Sequence, residues 1–212
     1  MDDIPELIKR AKLTQLAVLI NVIVFLLEEA SGGSGSTNAL VRAGAMYTPA
    51  VMDGLEYRRM LSSIFIHFGA EHLFGNMAAL LAAGAFIEVL MGKGWFAAIF
   101  LISGLAGNGA TAAAEMLTGD YMISAGASGA VSGLIGAYMV LMATKRISVN
   151  IPRGNLIMAA VCILLPGITD GGINFWAHAG GLAAGAAAAM IYTTVNRRSG
   201  CGSSSGNDIC NS

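Results

Sequence analysis

The sequence has few charged side chains. They make up 12% of its 212 residues, whereas soluble domains carry roughly 25%. Hydrophobic residues make up 55%, and the mean hydropathy is +0.67. A chain of this composition cannot cover a water-facing surface with polar groups. We therefore interpret it as an integral membrane protein whose surroundings are a lipid bilayer.

Basic patches and metal-binding cysteine patterns are absent from the sequence as well. The net charge is −1, which argues against a nucleic-acid partner. The three cysteines, Cys162, Cys201 and Cys210, lack metal-ligand spacing, and we expect no structural disulfide. The acidic start of the chain is atypical of a cleavable signal peptide, so we interpret the first apolar run as an uncleaved anchor.

The apolar runs predict a helical bundle. A helix that crosses a bilayer needs about 20 mostly apolar residues. Runs of about this kind span residues 11–27, 72–91, 95–117, 128–143, 155–168 and 174–195. The sequence therefore predicts an all-α membrane protein, a bundle of six transmembrane helices within residues 11–195. A short segment, 1–10, precedes the bundle, and a tail rich in Ser and Gly, 196–212, is expected to be disordered.

The lysines and arginines indicate how the bundle is oriented. If the N-terminus is inside, nine of the 12 basic residues fall in inner segments. This distribution follows the positive-inside rule with an even number of helices, so both termini should be cytoplasmic. The long loop 28–71 then lies on the outer side. Because no organellar targeting segment is visible, we expect the plasma membrane of a prokaryote.

Four polar residues lie at the outer ends of three predicted helices. Ser128 opens the fourth helix, and His178 lies about one turn into the sixth. His72 and Asn76 open the second helix and share one of its faces. All three helices enter from the outside, so these side chains reach one depth in the membrane. Polar and ionisable groups at such a depth are costly and point to function.

These residue types suit a serine nucleophile that is activated by a histidine. A serine hydroxyl attacks a carbonyl carbon once a base takes its proton, and histidine is the usual base. Ser128, at a helix N-terminus, also offers its backbone N–H to an oxyanion, and His72 and Asn76 add side-chain donors. No carboxylate is placed to orient His178, so the prediction is a dyad. We attribute the close approach of the helices to the small residues Gly126, Gly129, Gly133, Gly181 and Gly185.

Other interpretations of the same residues are open at this stage. Taken singly, Ser128 and His178 are compatible with helix packing, and the pair His72 and Asn76 is compatible with a helix cap. A small-solute transporter would need paired half-helices or inverted repeats, and neither is visible. The coincidence of depth among the four residues favours catalysis.

Three further ionisable residues need no catalytic role in this interpretation. His67 precedes the second helix and is interpreted as structural. Glu88 and Glu115 lie near helix ends and are expected to reach water. The spacing from His67 to His72 does not fit a zinc motif and has no third ligand, so we expect no metal.

The motifs together resemble those of the rhomboid intramembrane serine proteases. The matching stretches are GASG at 126–129 (GxSG), HLFGN at 72–76 (HxxxN) and AHAGG at 177–181 with Gly185 (AHxxGxxxG). The resemblance implies Ser128 as nucleophile, His178 as general base, and an oxyanion site made of His72, Asn76 and the Ser128 N–H. It also implies a six-helix frame, no cofactor, and transmembrane helices as substrates that are cut near the outer face.

Two positions depart from the pattern of that family. It commonly has Trp-Arg in its first outer loop, and Arg58 stands here at the place of the tryptophan. It often has an aromatic residue four positions after the nucleophile, and here that residue is Ser132, with Phe175 or Trp176 as possible replacements. The alternative function is a non-catalytic rhomboid-like protein that binds transmembrane helices. Such a protein would usually lack the serine or the histidine, and this chain has both.

Overall fold

The structure is a computed structural model that describes residues 4–144 and 174–201, with side chains to residue 196. Within these residues the chain forms nine helices and no strand, apart from one isolated antiparallel bridge between Met46 and Ser124. The helices are α1 (Ile4–Arg10), α2 (Lys12–Ala30), α3 (Thr37–Ala43), α4 (Thr48–Met52), α5 (Arg59–Ser62), α6 (Gly69–Met91), α7 (Lys93–Thr118), α8 (Ser128–Ala143) and α9 (Phe175–Cys201).

The predicted helical class is confirmed for the described residues. Five of the six predicted runs correspond to the helices α2, α6, α7, α8 and α9. The remaining run, 155–168, lies outside the described residues. Helix α9 continues to Cys201, so the first residues assigned to the disordered tail, 196–201, are helical instead. The expected outer loop 28–71 contains the short helices α3, α4 and α5.

Helices α2, α6 and α7 are each long and apolar enough to cross a membrane. Helix α8 is also apolar but has 16 residues. Helix α2 exposes a row of large aliphatic side chains, which are Leu16, Leu19, Ile20, Ile23, Leu26 and Leu27. Such a surface is unfavourable in water and suits contact with lipid tails. The protein is therefore an integral membrane protein, as its composition predicts.

The turn between α6 and α7 is short. Gly92 alone separates α6 from α7, and its φ of +89° is a conformation that favours glycine. The main apolar core lies between α6, α7 and α8 and includes the fully buried Leu80, Ile99 and Leu134. In a membrane this core is stabilised mainly by close packing, because lipid tails are as apolar as the side chains.

Helices α8 and α9 pack with their backbones in direct contact. A methyl group on Gly181 would overlap the carbonyl oxygen of Gly129, and one on Gly185 would overlap that of Gly133. One on Gly136 would overlap the carbonyl oxygen of Leu182. Only glycine fits at these positions, because any larger residue would force the helices apart.

Glu88 and Glu115 are buried, so the expectation that they reach water is wrong. Glu88, near the end of α6, is 5% exposed. Its carboxylate accepts hydrogen bonds from the backbone N–H groups of Leu13 (3.0 Å) and Thr14 (2.7 Å), and from the Thr14 hydroxyl (2.8 Å). The first N–H groups of a helix have no partner within the helix. Glu88 therefore caps α2 from a neighbouring helix, and this is why it can stay buried.

The loop 28–71 is held by Arg59, which is 6% exposed. Its guanidinium donates to the carbonyl oxygens of Val41 (2.7 Å) and Ala45 (3.0 Å) and pairs with Glu56 (2.9 Å). Arg58, the residue that departs from the family pattern, is exposed and contacts the same Glu56. The anchoring of this loop therefore depends on Arg59 and does not need a tryptophan at position 58.

The glycine contact between α8 and α9 generates a stability prediction. Replacing Gly185 by alanine should lower the free energy of unfolding by about 1–3 kcal/mol, because the methyl group must displace the Gly133 backbone. The midpoint of unfolding in mixed detergent micelles measures this loss. Gly94→Ala in α7 is the matched control, since no atom lies within 4 Å of its added carbon. Equal stability of the two variants would contradict the packing argument.

Candidate active site

A cavity of about 980 Å³ lies between α6, α7, α8 and the start of α9. Its described wall includes Ser128, His178, His72 and Asn76, the four residues singled out in the sequence. The segment before α8 forms another part of the wall and includes Ser124. Residues from three helices that are distant in the chain thus share one internal space.

Ser128 is the first residue of α8, and its position depends on the turn before it. Gly126 has a φ of +129°, and a side chain there would lie 2.7 Å from Cε1 of His72. Glycine is therefore required for the turn to pass against the imidazole ring. The Ala127 carbonyl accepts the Val131 N–H at 2.9 Å, which starts the helix. No described residue accepts the N–H of Ser128 itself, so this donor is available.

His72 and Asn76 face this turn from α6. The Nδ1 atom of His72 accepts the N–H of Phe68 at 3.4 Å. A neutral imidazole that accepts at Nδ1 carries its proton at Nε2, so His72 can donate from Nε2. Asn76 is 7% exposed, and its amide nitrogen donates to the His72 carbonyl oxygen at 2.9 Å. The amide group of Asn76 has a second N–H that this bond does not use.

His178 lies in the first turn of α9 and is 8% exposed. Asn174 precedes the helix as its cap, because its side-chain oxygen accepts the Ala177 N–H at 3.0 Å. The amide nitrogen of Asn174 donates to the Thr111 hydroxyl at 2.8 Å, which ties this end of α9 to α7. Thr111 and Asn174 were not singled out in the sequence. The Asn174 cap was recognisable from its spacing, whereas its partner on α7 was not.

The helices that carry Ser128 and His178 meet at the neighbouring residues. A methyl group on Gly129 would lie 3.3 Å from the carbonyl oxygen of Ala177. The residue after the serine thus contacts the residue before the histidine. This contact continues the glycine seam formed by Gly133 and Gly181 deeper in the bundle. The seam places both side chains at the same end of the α8–α9 pair.

Ser132 follows one turn after Ser128 and is 1% exposed. Its hydroxyl donates to the Ser128 carbonyl oxygen at 2.8 Å, so the residue packs within its own helix. Phe175 and Trp176 both line the cavity, and their rings meet edge to face with centroids 5.3 Å apart. The two aromatic residues therefore lie in the cavity wall, and the replacement of an aromatic at position 132 by one of them stays a prediction.

Glu115 lines the same cavity and is 7% exposed. Its carboxylate accepts the Thr48 hydroxyl on one oxygen and the Met122 N–H, at 3.0 Å, on the other. It therefore links α7 to the outer loop and to the segment that leads into Ser128. No feature of the local sequence indicated this role, since both partners are brought to Glu115 by the fold.

His67, interpreted from the sequence as a structural residue before the membrane, packs beside the site against His72. Its side chain is fully buried, and its ring centroid lies 5.4 Å from that of His72. Burial and, to a smaller extent, the facing His72 together lower the pKa of His67 from 6.5 to about 4, against the opposing effect of the Phe65 carbonyl. The ring is therefore neutral at neutral pH.

The described part of the chain contains no cluster of side chains suited to bind a metal ion. Among those residues, no three His, Cys, Asp or Glu side chains are grouped so that they could hold an ion. The groups in the cavity wall that could take part in a reaction are a serine at a helix start, two histidines and an amide. The protein is a helical membrane protein with a serine–histidine cavity.

Comparison with known proteins identifies the family. Residues 54–195 match the family model of the Rhomboid domain. The chain is 34% identical over 180 residues to the rhomboid protease GluP of Bacillus subtilis (strain 168). The aligned region covers 84% of this chain and 34% of GluP. YdcA of the same strain is 33% identical over 141 residues, 66% of this chain and 68% of YdcA. RHOMBOID-like protein 4 of Arabidopsis thaliana is 30% identical over 178 residues, 79% of this chain and 43% of that protein.

The chain therefore belongs to the rhomboid family. It spans about a third of the length of GluP and less than half of RHOMBOID-like protein 4. The match begins within the outer loop and ends in α9, so it contains every residue of the candidate site.

The buried His67 generates a prediction for stability against pH. In the unfolded chain the histidine titrates near 6.5, so between pH 6.5 and about 4 the unfolded state binds more protons than the folded state. Stability should therefore fall as the pH falls through this window. His67→Gln should reduce that slope, as measured by unfolding midpoints in detergent. Glu28 and His72, which face His67, titrate in both proteins, so the difference between the two slopes reports His67. Identical slopes would contradict its neutral burial.

Proposed function

We propose that the protein is an intramembrane serine endopeptidase in which Ser128 is the nucleophile and His178 the general base. The observation that carries this proposal is the contact of Gly129 with Ala177, which brings together the helix ends bearing the two residues. The shared cavity and the membership of the rhomboid family support it. GluP, a relative, is named as a rhomboid protease.

The chemistry follows from the residues in the cavity. His178 takes the proton of the Ser128 hydroxyl as the oxygen attacks the carbonyl carbon of a peptide bond. The resulting oxyanion accepts hydrogen bonds from the Ser128 N–H, from Nε2 of His72 and from the amide of Asn76. His178 then gives the proton to the leaving amine. Water, deprotonated by the same histidine, releases the acyl group from the serine and restores both residues.

The membrane arrangement is part of the same proposal. Six helices cross the bilayer, both termini are cytoplasmic, and the loop 28–71 lies on the outer side. The substrates are transmembrane helices of other membrane proteins, cut near the outer face, where the cavity lies. The proposed location is the plasma membrane of a prokaryote, and the organism of GluP and YdcA supports this assignment.

Reaction with a fluorophosphonate probe tests the nucleophile. The purified protein in detergent should be labelled at Ser128, and Ser128→Ala should abolish labelling because the substitution removes the nucleophilic hydroxyl. His178→Ala should reduce the labelling rate at least a hundredfold, the usual loss when a general base is removed. Gel fluorescence and peptide mapping measure both effects.

Ser132→Ala is the matched control for this experiment. Ser132 lies one turn after Ser128 and lines the same cavity, but its hydroxyl is used by the Ser128 carbonyl. Its removal should leave labelling intact. Absence of labelling in the native protein, with folding verified by an unfolding transition, would contradict the protease. It would favour the non-catalytic relative that binds transmembrane helices.

The pH dependence of labelling tests the base. His178 can take a proton only in its uncharged form, so the labelling rate should fall toward acid pH, over the range of about pH 5 to 8 in which histidines titrate. The labelling rate per folded molecule is the quantity to compare, because the stability of the fold is also expected to decrease as the pH is lowered. A flat profile would exclude His178 as the base of a rate-limiting chemical step.

A further inference from the structure

The segment that connects α5 to α6 holds the turn before Ser128 at two successive backbone amides. The N–H of Gly126 donates to the Ser63 carbonyl oxygen at 2.9 Å. The N–H of the next residue, Ala127, donates to Nε2 of His67 at 3.4 Å. The following N–H belongs to Ser128 and has no acceptor among the described residues. The two amides that precede the proposed oxyanion donor are thus both occupied by this segment.

The partners of His67 determine which of its ring nitrogens carries the proton. Nδ1 lies 3.2 Å from the carbonyl oxygen of Phe65. A carbonyl oxygen can only accept, so Nδ1 carries the proton and donates. In the neutral ring Nε2 then has a lone pair, which accepts the Ala127 N–H. A protonated His67 would direct a second N–H at the Ala127 amide and break this contact.

His67 is itself held rigidly. Its side chain is fully buried, and its own backbone N–H donates to a carboxylate oxygen of Glu28, in α2, at 3.3 Å. Its ring faces His72 with centroids 5.4 Å apart. The residue therefore lies between α2, the oxyanion histidine and the turn before the nucleophile. Ala127 is fully buried as well, so bulk solvent does not reach this hydrogen bond.

We propose that His67 is a positioning residue for the nucleophile, which fixes the Ala127 amide and thereby aims the Ser128 N–H into the cavity. The inference rests on the proposed protease activity and deepens it. His67 touches neither substrate nor reacting atoms. The Ala127 N–H lies in the Gly126–Ala127 peptide plane, and the effect of His67 reaches the next peptide plane, which carries the Ser128 N–H, through the two backbone dihedrals of Ala127.

Two amide substitutions separate this role from mere packing. His67→Gln removes the titrating ring but places an amide oxygen at about the distance of Nε2, where it can accept the Ala127 N–H. His67→Asn has the same polar group on a shorter chain, which can reach the Phe65 carbonyl but not Ala127. The two variants carry the same uncharged amide group, and the glutamine side chain is longer than the asparagine side chain by one methylene group.

The fluorophosphonate reaction supplies the kinetic test, with the saturation constant and the limiting rate measured per folded molecule. For His67→Asn we expect a limiting rate lowered about tenfold, the factor expected for one lost hydrogen bond, at an unchanged saturation constant. His67→Gln should retain a rate within about threefold of the native protein. Equal rates for the two variants, whether both native or both reduced, would overturn the positioning role.

Amide hydrogen exchange reads the hydrogen bond directly and does not depend on catalysis. Peptides that cover residues 124–130 should exchange faster in His67→Asn than in the native protein, while His67→Gln stays protected. Unchanged protection in His67→Asn would overturn the proposal. A native protein that is not labelled by the probe would instead refute the protease assignment, so the two failures are distinguishable.

Discussion

The backbone contact between α8 and α9 is the constraint on which the site depends. Glycines on both helices remove every side chain from the seam, and carbonyl oxygens of one helix lie where methyl groups of the other would be. The helices can then approach more closely than larger residues would permit. Because Ser128 and His178 lie at the same end of this seam, its register determines whether they face each other. A widened seam would separate the two side chains while leaving both helices intact.

Buried polar side chains hold the remaining parts of the site. Inside a membrane a backbone N–H or a carboxylate has no water to bind, so each must find a partner within the protein. Glu88 caps α2, Glu115 holds the segment before Ser128, and Arg59 donates hydrogen bonds to two carbonyl groups of the loop 28–71. Each of these residues joins chain segments distant in sequence. The polar groups of the interior thus connect the helices of the candidate site to the neighbouring segments, and the apolar core fills the space between them.

The short segment between α5 and α6 combines two functions in few residues. It supplies the two acceptors for the turn before Ser128, Nε2 of His67 and the carbonyl oxygen of Ser63, and it leads directly into the helix that carries His72. Asn108, on α7, holds the same segment through Ser63 and the Met60 carbonyl oxygen, at 2.8 and 2.7 Å. The turn before Ser128 and the start of the helix that carries His72 are therefore held by the same short segment.

The sequence by itself determined the helical class, most helix positions and the residues of the candidate site. It did so because membrane helices need long apolar runs, and the few polar residues within them stand out. Only the tertiary structure decided the contacts of His67, Glu88 and Glu115. Their partners lie 60, 74 and 67 residues away in the chain, at Ala127, Thr14 and Thr48, so no local pattern could reveal them. A buried charge and a solvated one look alike in sequence, since burial is a property of the packed neighbours.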